Sequence, residues 1–85
     1  MEKHIKQFLD FIQNEKKLSN NTLQSYSRDI NQYKDYLETN KINYLKVDNE
    51  QIKEYLNYLQ EIGKKTSTIS RNLASIRSFY QYLIR

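Results

Sequence analysis

Two short stretches carry the side chains with the chemistry to engage a partner. The first holds Asn21, Gln24, Ser25, Arg28 and Gln32. In the second, Lys64 and Lys65 precede Ser67, Ser70, Arg71, Ala74, Ser75 and Ser78. Amides, hydroxyls and guanidinium groups are recognition groups rather than reaction groups. Ser and Asn donate to anionic oxygens, while Arg and Gln present paired polar atoms to a flat edge. The small side chains of the second stretch let a backbone approach a surface closely. Catalytic equipment is missing by comparison. There is no cysteine, which excludes a thiolate nucleophile, a thiolate zinc site and disulfides. The single histidine, His4, cannot build a metal cluster and reads as a bystander. The single glycine, Gly63, excludes phosphate-cradling and dinucleotide loops, which need several. No base or oxyanion cluster surrounds any of the eight tyrosines. The expectation is a chain with no catalytic residue, no metal site and no cofactor.

Net charge is +4 over 85 residues, and its placement matters more than its size. Residues 1–62 hold nine basic and ten acidic side chains; residues 63–85 hold Lys64, Lys65, Arg71, Arg77 and Arg85 and no acid. The whole positive excess therefore lies in the last segment, which would attract a polyanion such as nucleic acid or an anionic membrane surface. No apolar run approaches the roughly 18 residues of a membrane span, and the start MEKHIKQFLDF lacks a signal-peptide core. A soluble cytoplasmic domain is expected.

Four helices must position these groups. Proline is absent, and the apolar residues step by three and four. Ile5, Phe8, Leu9 and Ile12 predict a helix over about 2–16. Leu23, Tyr26, Ile30, Tyr33 and Leu37 predict one over 20–39, with Ser19 as its N-cap. Leu45 and Val47 should cover the core from outside. Asp48 and Gln51 form a capping-box pair opening a helix over 49–62, which buries Ile52, Tyr55, Leu56 and Leu59 and stops at Gly63. Ile69, Leu73, Ile76, Tyr80 and Leu83 predict a last helix over 67–85. Its pattern is still intact at Arg85, as expected of the N-terminal piece of a longer protein. Amphipathic helices of this size must share one core, giving an all-α four-helix bundle in which the Tyr and Phe stripes are core.

Opposite its apolar stripe, the second helix presents Asn21, Gln24, Ser25, Arg28 and Gln32; the last presents Ser67, Ser70, Arg71, Ala74, Ser75 and Ser78, with Arg85 at its end. The free N–H groups at the start of the last helix, beside Lys64 and Lys65, also suit a phosphate. A helix lying along a DNA groove fits this combination. A membrane surface fits less well, because the apolar stripes are needed for the domain's own core. RNA binding through exposed aromatics lacks support, since the aromatics follow the inward period. A helical protein–protein interaction module is the alternative.

The stretch Leu18-Ser19-Asn20-Asn21-Thr22-Leu23-Gln24-Ser25-Tyr26-Ser27-Arg28-Asp29-Ile30 resembles the LS-x-N-TL-x-x-Y-x-x-D-[LI] pattern of tyrosine site-specific recombinases. Thr68-Ile69, followed by LASIRSFYQYL over 73–83, is similar to the last N-terminal helix of the same phage-integrase and Xer-like family. The resemblance implies a core-binding domain, a compact SAM-like orthogonal bundle that forms half of a clamp around double-stranded DNA. It would bring Asn21, Gln24, Ser25 and Arg28 to the DNA from one helix and Ser67, Ser70, Arg71, Ser75, Arg77 and Ser78 from the other. Arg77 is the outlier, lying by period at the edge of the core stripe. The family cleaves and rejoins DNA through a phosphotyrosine without a metal, using residues of a C-terminal catalytic domain that would be absent from this chain. Other protomers in a DNA-bound tetramer are the further partners the resemblance implies.

Overall fold

The computed structural model describes residues 1–84. Four helices run in the order α1 (Glu2–Lys16), α2 (Asn20–Thr39), α3 (Asn49–Glu61) and α4 (Thr66–Leu83), with a 3₁₀ turn at Tyr44–Lys46 between α2 and α3. The fold is all-α. Each of the four α-helices matches its predicted bounds to within one or two residues, whereas the 3₁₀ turn has no counterpart in the sequence reading; Arg85, predicted to end the last helix, lies outside the described residues.

Local chemistry explains the boundaries. The Ser19 side chain accepts from the Thr22 backbone N–H at the start of α2. Asp48 and Gln51 form the reciprocal capping box of α3, with Gln51 N to Asp48 Oδ1 at 2.8 Å and Asp48 N to Gln51 Oε1 at 3.1 Å. Such caps satisfy N–H groups that the first helical turn leaves unpaired. Gly63 follows α3 with φ at 89°, a left-handed conformation that a side chain would strain.

The core gathers Ile5, Phe8 and Ile12 of α1, Ile30, Tyr33 and Leu37 of α2, Tyr55 and Leu59 of α3, and Ile76 and Phe79 of α4. Aromatic rings meet edge-on at its centre: Phe8 against Phe79 at 5.5 Å and Tyr33 against Tyr55 at 5.1 Å between centroids. Edge-to-face geometry sets the positive ring edge against the negative ring face. Tyrosine hydroxyls then lace the elements together. Tyr80 donates to the Tyr44 carbonyl at 2.8 Å, so the 2.8 Å contact between Tyr33 and Tyr80 hydroxyls has Tyr33 as donor. His4, expected to be a bystander, is hydrogen-bonded through Nδ1 to the Tyr44 hydroxyl, tying α1 to the 3₁₀ turn.

The inward face of α4 departs from the predicted one. Its buried residues are Asn72, Ser75, Ile76 and Phe79, whereas Leu73 is only half-buried. Asn72 is held by its Nδ2, which donates to the Thr68 carbonyl at 2.9 Å, while its buried Oδ1 has no partner among the described residues. Rotating the helix this way leaves Ser67, Ser70, Ala74, Arg77, Gln81 and Ile84 as the exposed row. Arg77 is thus fully outward, not at the core edge. Val47 does pack on the core, but Leu45 is 62% exposed and covers none of it.

The tyrosine-rich core makes the fold sensitive to alkali. Burial holds the Tyr33 and Tyr55 hydroxyls well above the ordinary tyrosine value, and the Tyr80 hydrogen bond raises Tyr33 further. The folded state therefore keeps protons that the unfolded chain releases above pH ~10. Stability is at its full value below that pH and falls above it, by about 1.4 kcal/mol per pH unit for each of the two tyrosines. Urea melts between pH 8 and about 11 should show this loss. Unchanged midpoints across that range would mean these hydroxyls are not held in the core.

Candidate nucleic-acid interface

The seam between α2 and α4 is built around Asp29. This carboxylate is 1% exposed and accepts two parallel hydrogen bonds from Arg71, from Nε to Oδ2 and from Nη2 to Oδ1, both at 2.9 Å. Ser75 Oγ donates to Oδ2 at 3.1 Å. A buried carboxylate persists only when it is paired and hydrogen-bonded, and Arg71 and Ser75 meet both needs. In return the carboxylate holds the Arg71 guanidinium above even its ordinary high range.

This pairing sets the register of the two polar stretches. Asp29 meets Arg71 and Ser75, and Tyr33 meets Tyr80 further along both helices. The helices thus advance in the same sense past this seam. Ser25 and Ser67, one turn before Asp29 and Arg71, flank its N-terminal end. Asn21, Gln24 and Arg28 are exposed on α2, as are Lys64, Lys65, Ser67 and Ser70 at and before the start of α4. Ser25 is half-buried, and the Arg71 side chain is 40% exposed. Lys65 is the N-cap of α4 and makes no side-chain capping bond, so the first turn of this helix keeps its N–H groups open beside two lysines. Neither lysine forms an ion pair among the described residues.

Three predicted contact residues sit elsewhere. Ser75 is fully buried with its hydroxyl committed to Asp29, so it cannot reach a partner. Ser78 lines a small groove with Phe8, Ile12 and Lys16 on the α1 side. Gln32 faces the cleft between α2 and α3, among Asp35, Glu54 and Glu61, where a polyanion would be repelled. In that cleft burial, followed by the Glu54 carboxylate, holds the Tyr36 hydroxyl above its usual range. Arg77 is exposed on the lower half of α4, beside an apolar groove with Leu45, Ile52, Leu56 and Leu73. Asp29 is not among the predicted contact residues. Two signals mark it in the sequence: it is the acid of the LS-x-N-TL-x-x-Y-x-x-D-[LI] pattern, and it lies beside Ile30 on the buried row that continues to Tyr33 and Leu37.

Among the described residues, no group of three His, Cys, Asp or Glu side chains could hold a metal ion. No helix among them is long and apolar enough to cross a membrane.

Comparisons with known proteins place the chain among recombinase sequences. The chain is 45% identical over 82 residues to tyrosine recombinase XerD of Staphylococcus epidermidis, covering 95% of this chain and 28% of that protein. It is 41% identical over 86 aligned positions to tyrosine recombinase XerD of Staphylococcus aureus, covering all of this chain and 29% of that protein. The chain thus spans less than a third of the length of these relatives. No solved structure gives a significant match. The family described as "Phage integrase, N-terminal SAM-like domain" matches residues 5–85, and the chain belongs to it.

Proposed function

We propose that this chain is the DNA-gripping, core-binding part of a tyrosine recombinase acting in site-specific recombination or integration in the cytoplasm. The N-terminal halves of α2 and α4 would face double-stranded DNA, with Asn21, Gln24, Ser25 and Arg28 on one side of the Asp29 seam. Lys64, Lys65, Ser67, Ser70 and Arg71 lie on the other, with Arg77 as an outlying contact. The observation that carries the reading is the open N-terminus of α4, flanked by two lysines that form no ion pair among the described residues and joined through Asp29 to the polar turn of α2. Strand cleavage and rejoining would belong to a C-terminal catalytic domain of the full-length protein, and this part alone would bind DNA without cutting it. Other protomers would join it in a DNA-bound tetramer.

Backbone NMR titration with a short generic duplex tests the reading. Shifts should fall on residues 20–29 and 64–71 and shrink as salt rises, with affinity of roughly 10⁻⁴ to 10⁻⁶ M at physiological salt. The double variant Lys64→Glu/Lys65→Glu should weaken binding at least about tenfold and lower the slope of log K against log salt by about 1.8, as expected for two lost phosphate contacts. If even low salt and high concentrations produce no shifts, DNA binding is excluded, and a protein partner for these helices becomes the reading to pursue.

A further inference from the structure

The bond between Asp29 and Arg71 does more than join two helices; it decides what Arg71 can recognise. A guanidinium carries five N–H donors. Asp29 takes one from Nε and one from Nη2, which is the side edge of the group. Two N–H groups on Nη1 and one on Nη2 remain, and Arg71 makes no other hydrogen bond among the described residues. The outer two of these form a parallel pair along the end edge, on a side chain that is 40% exposed. The fork cannot swing, because its other edge is clamped by a carboxylate that is itself 1% exposed and held by Ser75.

Charge argues for what the fork reads. Asp29 and Arg71 together are neutral, so the pair gains little from the field of a phosphate backbone. Lys64 and Lys65, neither of them in an ion pair among the described residues, are the better phosphate contacts. What the clamp adds is direction, and a fixed end-on fork is rewarded by a partner with two acceptors in a fixed plane. In duplex DNA that partner is the O6/N7 edge of guanine in the major groove.

We infer that Asp29 is a positioning residue that fixes Arg71 as a guanine-reading, specificity-determining contact rather than a phosphate contact. The inference rests on the reading of this seam as a face for duplex DNA. Asp29, being buried and negative, touches no DNA itself.

The test is to sequence the fraction of a randomised duplex pool that the chain retains, using the wild type, Asp29→Asn and Arg71→Lys. The wild type should enrich a guanine at one position of its site. Arg71→Lys keeps the charge but loses the fork, and should lose that enrichment while the salt dependence of binding stays unchanged. Asp29→Asn raises the net charge by one, which by electrostatics alone would tighten binding; it too should lose the guanine preference. A further arm needs no variant and so stands even if either substitution unfolds the chain. Replacing the enriched guanine by 7-deazaguanine, which lacks the N7 acceptor, should weaken wild-type binding by roughly 5- to 150-fold. A wild type that binds duplex without enriching any guanine overturns the inference, as does a preference that survives both substitutions. So does an Arg71→Gln variant whose salt slope falls by about 0.9, the mark of a phosphate contact. No retention of any duplex by the wild type refutes instead the DNA-binding reading beneath it.

Discussion

Replacing Phe79 by alanine should destabilise the domain by about 3–5 kcal/mol, the range for a fully buried aromatic residue. Phe79 is 0% exposed and meets Phe8 edge-on, with Tyr80 and Tyr44 also within ring contact. It therefore lies where α1, α4 and the 3₁₀ turn converge, and truncation would leave a cavity that three elements must share. A chain of 85 residues has a total stability of only about 4–13 kcal/mol. The loss is thus a large fraction of the whole, and the melting temperature should fall by at least about 12 °C. Leu73→Ala is the informative contrast. The helical period places Leu73 in the core, but it is half-buried on the wall of a groove beside Leu45 and Leu56. Its truncation should cost less than about 2 kcal/mol. Thermal melts of the two variants rank the faces directly, and a larger loss for Leu73→Ala would rotate α4 back to the face its apolar residues suggest.

That rotation shows what the sequence could reveal and what it could not. Helix positions follow from signals within a few residues of one another: the three-and-four steps, Ser19 before α2, the Asp48–Gln51 pair before α3, Gly63 after it. The caps and the glycine stop survive in the fold because each is satisfied locally, and the steps suffice to place the helices along the chain. The inward face of α4 is different, because two of its buried residues, Asn72 and Ser75, are polar and drop out of any apolar ladder. Asn72 is held by the Thr68 carbonyl one turn back, which any helix supplies, but the burial of Ser75 depends on Asp29 from another helix, which only the folded chain supplies. Reading apolar residues alone therefore turns the helix by about one position, which draws Ser75 into the contact face and Arg77 towards the core. Asp29 is visible as the acid of the family pattern, but its role is not, since an acid on a buried row carries no meaning until Arg71, 42 residues later, is placed against it.

The Asp29–Arg71 pair also makes a stability prediction that is independent of any ligand. Arg71→Leu removes the cation and leaves a buried carboxylate with Ser75 as its one remaining hydrogen-bond donor. Breaking a buried pair from one side costs about 3–5 kcal/mol, because the surviving charge is stranded. Water reaches the Arg71 side, which is 40% exposed, so a loss of about 2–4 kcal/mol is expected here. Asp29→Leu should cost less. The surviving guanidinium is already partly in solvent and can turn outward, and a leucine suits a position only 1% exposed. The double variant Asp29→Leu/Arg71→Leu removes both charges together, and should lie within about 1 kcal/mol of Asp29→Leu alone. Ser75 can then turn its hydroxyl to the backbone carbonyl one turn back along α4, so the double variant strands no donor. Urea denaturation of the four proteins in this cycle measures the coupling, which should be about 2 kcal/mol or more. If the two single losses simply add, Arg71 contributes nothing to keeping Asp29 buried. The helices would then be held in register by the aromatic core and the Tyr33–Tyr80 contact alone, and a clamped, direction-giving Arg71 would lose its structural basis.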